Sequence, residues 1–401
     1  MKILFIGGGY ASCCTARLLL DQGHEVHIFE RSPSLGGMAK SYQIEGMTYE
    51  FGPHILANHA DDQKVIEFIL KYIEVIPTTM ETSTYLQGQH LNYPPHISDV
   101  TKLSQQAKIE KELQSLPSKI DETNFETYLI SKVGKTLYEL YFKYFTEKFW
   151  MVNPASLSAD WAKLRHLGES LTEKQMFFNK KWCAYPKNDF NELFDNISAG
   201  FNLHLRTNIT EIDGEKSRIV DDNGNSYQGD MLVSTISIDT LFNNKFGELD
   251  YRGYRIEPKV LYQHSFHPID PETGKNYSMV YYPEKETLYT RTTEYKWFNH
   301  KATEAAYQGK TVITIETPSD KLRFYPMMSP ANEQKLAKYL NLLSKSPKLV
   351  SIGRMGLYKY TTLDTTTQQV FRFMEKFASW NEMSPEERFK AYHYIRGDWH
   401  N

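Results

Sequence analysis

Lys2-Ile3-Leu4-Phe5-Ile6-Gly7-Gly8-Gly9-Tyr10-Ala11-Ser12 is the stretch that decides the fold: a β-prone apolar run, a glycine cluster, then apolar residues at helical spacing through Leu20. The order is strand, tight turn, helix. Gly7 lets the backbone turn sharply and Gly9 lets it approach a pyrophosphate. Tyr10 and Ala11 open the helix, whose unpaired N–H groups and positive dipole end would face the phosphates. A second apolar run, Glu25-Val26-His27-Ile28-Phe29, leads to Glu30, 21 residues after Gly9. A carboxylate at that distance is placed to accept a ribose hydroxyl, with Arg31 beside it. Ser12 stands where the third glycine of this fingerprint is usual, still small enough for close helix–strand packing.

The next residues are Arg31-Ser32-Pro33-Ser34-Leu35-Gly36-Gly37. A glycine pair just after the ribose-binding acid resembles the extended motif of FAD-dependent enzymes rather than that of NAD dehydrogenases. The competing reading is a βαβ unit that binds no dinucleotide.

The chain has 401 residues, enough for two or three domains of ~150 residues each. With 40% hydrophobic residues it can build a large core, and a net charge of −3 gives no electrostatic case for nucleic acid or an anionic membrane. Its 27 Tyr and 22 Phe suit cores, and also pockets for rings and sugars. Cys13, Cys14 and Cys183 have no metal-binding spacing and read as reduced structural residues. Glycines and Arg17 interrupt the apolar N-terminus, so no cleavable signal or membrane insertion is expected and the cytoplasm is the default location.

The expected fold class is α/β: a discontinuous Rossmann-like FAD-binding domain with an inserted helical bundle and a mostly antiparallel β-sheet domain. The FAD-binding domain takes residues 1–97, 172–245 and 331–380, the bundle 98–171 and the sheet 246–330. The tail, 381–401, has no assigned role. Within the bundle, Thr123-Asn124-Phe125-Glu126 has a capping-box pattern. Leu137, Tyr141, Phe145 and Phe149 follow as one ridge, suited to core packing or to stacking on a base. Residues 204–212 read as one strand. Period-two runs at 260–266, 278–282, 287–291 and 311–315 read as the antiparallel sheet, with a turn at 270–274.

Several further segments resemble UDP-galactopyranose mutases. They are Phe51-Gly52-Pro53-His54-Ile55, Phe145-Thr146-Glu147-Lys148-Phe149-Trp150, Phe246-Gly247-Glu248-Leu249-Asp250-Tyr251-Arg252, Tyr289-Thr290-Arg291, Phe324-Tyr325-Pro326 and Gly353-Arg354 with Tyr358-Lys359-Tyr360. The resemblance implies FAD, active when reduced by NAD(P)H or another reductant, whose N5 attacks the anomeric carbon of a nucleotide sugar. The flavin–sugar adduct opens and re-closes through another hydroxyl, exchanging pyranose and furanose. It implies that His54, Arg354 and Thr362 lie at the flavin, and that Arg165, Arg291, Tyr325 and Tyr360 hold the diphosphate. Asn92, Tyr141, Phe145, Thr146, Trp150 and Phe177 would contact the rest of the substrate. A homodimer is compatible with it.

Four positions depart from the family. Phe145 and Phe177 replace tyrosines, Thr362 replaces an aspartate, and Ala57 replaces a second histidine after His54. Each loses a polar group, so UDP-galactose is the leading substrate and a TDP- or GDP-linked sugar its rival. Two other classes share the fingerprint: a flavin oxidase of the amine or protoporphyrinogen oxidase kind, and a nucleotide-binding module without chemistry.

Overall fold

The N-terminal stretch becomes the middle of a parallel sheet. In the computed structural model, which describes residues 1–165, 167–169, 171–172 and 182–398, five strands lie in the order Asn202–Leu205, Glu25–Glu30, Lys2–Ile6, Met231–Ser234, Leu349–Ser351. Ile3 pairs with Val26 on one side and Met231 on the other. Both faces of the strand are covered, which is why residues 3–6 run apolar without alternation. Gly7 has φ +95°, a region that side-chain-bearing residues avoid, and the helix Tyr10–Asp21 starts three residues later. Ser12 is fully buried and its Oγ donates to Gly7 O at 2.6 Å, so the substituted third glycine tightens the turn. The two glycine clusters meet, as Gly36 N–H donates to Gly8 O at 2.8 Å.

A second sheet has seven strands, in the order Tyr325–Pro326, Tyr251–Leu261, Thr311–Ser319, Arg291–Glu294, Met279–Tyr281, Thr82–Leu86, Gln89–Asn92. Its neighbours are antiparallel except Met279–Tyr281 against Thr82–Leu86. The first long strand begins at Tyr251 and ends at Leu261, so residues 263–266 lie beyond it, and residues 287–289 belong to the turn before Arg291 rather than to a strand. The predicted strand at 204–212 is broken at Arg206, whose φ is +54°. Asn202–Leu205 joins the parallel sheet, and Ile209–Asp213 joins a small antiparallel sheet with Arg218–Asp221 and Ser226–Gln228.

The helical segment carries its capping box one residue later than the pattern suggests. Asn124 is extended and accepts from Thr127 N–H at 3.0 Å, while Thr127 Oγ1 accepts from Asn124 N–H. That helix, Phe125–Val133, stops at Gly134, whose φ is +80°, and a second one runs through Lys135–Tyr138, a π-helical turn at Glu139–Lys143 and Tyr144–Trp150. Leu137 and Tyr138 go to the bundle core.

The tail is a structural helix, Pro385–Arg396, closed by a Ser384/Glu387 capping box. Arg388 and Arg396 are buried and donate to Ser344 O at 2.7 Å and Leu357 O at 2.8 Å. All three cysteines are buried, and no disulfide joins them. Among the described residues no helix is long and apolar enough to cross a membrane.

One buried histidine in the second sheet makes stability depend on acid. His267 lies between Tyr277 O and Thr292 Oγ1 at 2.9 and 2.8 Å. Burial pushes its pKa down to about 4, against an opposing pull from Glu294. Unfolded imidazole titrates near ~6.5, so between the two values the unfolded chain holds more protons and stability rises with pH. The contribution is therefore complete above pH ~6.5 and is lost as pH falls through about 4, to an extent on the order of 3 kcal/mol. Urea unfolding across this range should show that dependence flattened in His267→Gln.

Candidate active site

The glycine clusters, the aromatic helix and the seven-stranded sheet enclose one cavity of about 660 Å³. Its first half is built from Gly7–Gly9, the N-terminus of the Tyr10–Asp21 helix, Ala11, Glu30, Arg31, Gly36, Gly37 and residues 207–209. A Cβ built on Gly9 meets nothing within 4 Å and would enter this space. Glu30 accepts from Gly8 N–H at 2.7 Å and from Ser32 N–H at 2.8 Å, which fixes its carboxyl and leaves a lone pair on each oxygen. Tyr10 is tied to Thr367 Oγ1 at 2.7 Å and supports the wall from behind. Glycine-framed backbone at a helix N-terminus, open where a side chain would stand, suits the pyrophosphate of FAD.

Beyond it lie His54, His59, Arg354, Thr361 and Thr362. The expected second histidine is absent at Ala57, but His59 lines the cavity and pairs with the buried Asp364 at 3.4 Å. Thr362 caps the helix Leu363–Phe377, and its Oγ1 bonds Asp364 Oδ1 at 2.5 Å. Against burial, which pushes it up, the nearby His59 first, and then hydrogen bonds from the side chain of Thr362 and the N–H of Ala60, hold the Asp364 pKa below the usual carboxylate value. The carboxylate missing at 362 thus recurs two residues on. Arg354 donates three of its five N–H groups to the carbonyls of Thr361 and Phe324, which leaves two, and lies over the Tyr360 ring at 5.0 Å.

The far half is cationic and aromatic. Arg291 begins its strand and grips the buried Glu316 with two hydrogen bonds of 2.9 and 2.6 Å, while Nη1 reaches Tyr281 Oη at 3.3 Å. Three of its five N–H groups are so used, and two are left for a ligand. Arg165 ends the helix Ala159–Leu164 and donates to Tyr360 Oη at 3.2 Å. The Tyr325 and Tyr360 rings stack at 5.7 Å. Tyr141, Phe145, Thr146 and Trp150 line the wall from the aromatic helix. Tyr141 Oη and Trp150 Nε1 are buried and have no hydrogen-bond partner among the described residues, which suits a polar ligand.

Lys148, on the same helix, points the other way. Its Nζ donates to the carbonyls of Tyr282, Glu284, Thr287 and Tyr289 at 2.6 to 3.3 Å, tying the helix to the turn before Arg291.

One expected substrate contact is not in this wall. Asn92 stands apart from it because Asp99 accepts both its backbone N–H at 2.8 Å and its side-chain amide at 2.9 Å. Phe177 lies outside the described residues. Conversely, Tyr93 and Tyr281 line the cavity as a stacked pair at 3.9 Å without having been singled out. The signal for Tyr281 is its cross-strand register with Arg291. None exists locally for Tyr93.

Comparison with known proteins agrees with this geometry. The family model described as UDP-galactopyranose mutase matches residues 140–360, and that of an NAD(P)-binding Rossmann-like domain matches residues 6–72. The chain is 24% identical to a Klebsiella pneumoniae protein named "Probable UDP-galactopyranose mutase", over 94% of this chain and 95% of the relative. It is 23% identical to an Escherichia coli dTDP-fucopyranose mutase, over 95% of this chain and 99% of the relative. A crystal structure of reduced UDP-galactopyranose mutase shares the fold, with TM-score 0.77 at 17% identity over 97% of this chain and 98% of that one. Putrescine oxidase shares it more loosely, with TM-score 0.63 at 10% identity over 94% of this chain and 99% of that one. A family model that spans more than half of the chain, over residues that wall the cavity, places the protein: it belongs to the UDP-galactopyranose mutase family of isomerases.

Proposed function

We propose that the protein is an FAD-dependent mutase that interconverts the pyranose and furanose forms of a nucleotide-linked sugar, with UDP-galactose the leading substrate. The observation that carries this reading is that Arg165 and Arg291, with the phenols of Tyr325 and Tyr360, face one cavity continuous with the dinucleotide cradle. Bound and reduced, FAD would supply through N5 the nucleophile for the anomeric carbon. The chain's own residues have the other tasks. Guanidinium and phenol groups hold the diphosphate while it leaves and returns, which charge-assisted bonds do best. Phe145 and the Tyr93–Tyr281 pair offer ring faces to the base and exclude water. NAD(P)H or another reductant would charge the flavin.

The purified protein should be yellow, with FAD released on denaturation because nothing links it covalently. Turnover should appear only after reduction and leave the flavin reduced. Acceptor consumed in proportion to product would instead make it an oxidase.

A TDP-linked deoxy sugar is the second reading. Phe145 keeps a ring face but lacks a hydroxyl, and a relative named dTDP-fucopyranose mutase aligns over 95% of this chain. Calorimetric titration of the reduced protein with UDP, TDP and GDP decides between them. Preference for TDP or GDP would displace UDP-galactose, and no binding of any of the three would end the mutase reading.

A further inference from the structure

His54 reaches the cavity from a segment whose backbone it does not itself anchor; the anchor is Glu50, which no sequence pattern marks. Glu50 closes the strand Met47–Glu50 and is fully buried, whereas the His54 side chain keeps 19% of its surface. Glu50 Oε2 accepts from the His54 backbone N–H at 2.9 Å and lies 3.0 Å from His54 Nδ1. Oε1 accepts from the buried phenol of Tyr185, on the strand Cys183–Pro186. Burial, reinforced by Glu50, raises the Tyr185 pKa well above the phenol value, so that group stays a donor.

These contacts settle where the imidazole proton sits. A backbone amide can only donate, and Glu50 as a carboxylate can only accept. The hydrogen between Oε2 and Nδ1 then belongs to Nδ1. Neutral His54 then carries none on Nε2, the ring nitrogen left for the cavity. A carboxyl needed only to pin the turn would be satisfied by the backbone bond. Here it is aimed at the ring as well.

We propose that Glu50 is a positioning residue: it holds His54 in the tautomer protonated on Nδ1, so that Nε2 meets a hydroxyl of the bound sugar as an acceptor. The identity of that hydroxyl rests on the nucleotide-sugar reading above, and the tautomer rests on the Glu50 contacts alone. In the flavin-loaded enzyme labelled with ¹⁵N-histidine, above the pH at which imidazole titrates, His54 should show a protonated Nδ1 and a bare Nε2. Glu50→Gln must keep its carbonyl toward the His54 backbone N–H and so should leave Nδ1 protonated, whereas Glu50→Leu removes the acceptor, and with this variant the signals should move toward the other tautomer. The kcat of Glu50→Leu should fall on the order of 100-fold with KM little changed. In a His54→Gln background the same substitution should cost nothing further, since the two act as a unit.

A wild-type His54 protonated on Nε2 would overturn the proposal. So would an equal loss of kcat from Glu50→Leu with and without the imidazole, which is the signature of a purely structural carboxyl. If the tautomer and its shift appear but no nucleotide sugar binds, the positioning of His54 stands and the choice of substrate falls.

Discussion

Arg291→Ala is expected to abolish turnover and to lower stability in the same variant. Glu316 is fully buried, and its charge is matched by the two Arg291 hydrogen bonds and by Thr293 Oγ1 at 2.9 Å. Removing the guanidinium leaves a buried carboxylate without its cation, a defect of about 3–5 kcal/mol. The diphosphate would also lose a charge-assisted partner, about 1.5–3 kcal/mol. The two effects separate in the double variant Arg291→Met/Glu316→Leu, where no charge is stranded. Urea unfolding should show most of the stability restored there, while turnover stays absent. Full activity in Arg291→Ala would refute the diphosphate role, and unchanged stability would refute the account of Glu316.

Gly9→Leu is expected to give a folded, colourless protein. A Cβ there meets no protein atom within 4 Å, so folding should survive; what the side chain enters is the space beside the helix N-terminus assigned to pyrophosphate. Affinity for FAD should drop at least about 100-fold, or about 2.7 kcal/mol. Gly36→Leu is the contrasting variant, because φ is +107° there and the new Cβ would lie 2.7 Å from the Phe194 ring. That chain should be destabilised whether or not FAD is present. Equilibrium dialysis with FAD, alongside thermal melts, distinguishes the two outcomes, and tight FAD binding by Gly9→Leu would displace the cradle.

The cradle was legible because its chemistry is local: Gly7, Gly9, Glu30, Gly36 and Gly37 fall within one βαβ unit, where spacing alone fixes geometry. The ring-lined helix was legible for the same reason, through its ridge at helical period. What the sequence hid is what long-range pairing creates. Tyr281 comes to the cavity by facing Arg291 across two strands, and Glu50 gains its meaning from Tyr185, 135 residues away. Asn92 was misplaced because a hairpin gave its polar groups to Asp99. His59 and Asp364 carry no motif of their own and lie far apart in the chain, yet the pair restores nearby what positions 57 and 362 lack. The C-terminal helix, by contrast, could have been read: Ser384-Pro385-Glu386-Glu387 is an N-cap, a proline at the first helical position and a reciprocal glutamate.

The four carbonyls around Lys148 have a mechanical consequence. They join the helix that bears Phe145 and Trp150 to the turn that leads into Arg291, so the ring that would grip the base and the cation that would grip the diphosphate cannot drift apart. The distance between them is a fixed gauge. A nucleotide whose base and phosphates suit that gauge fits both ends at once, while one with a longer or shorter bridge must give up one contact to make the other. Length discrimination of this kind would rest on a single amine that lies outside the cavity wall.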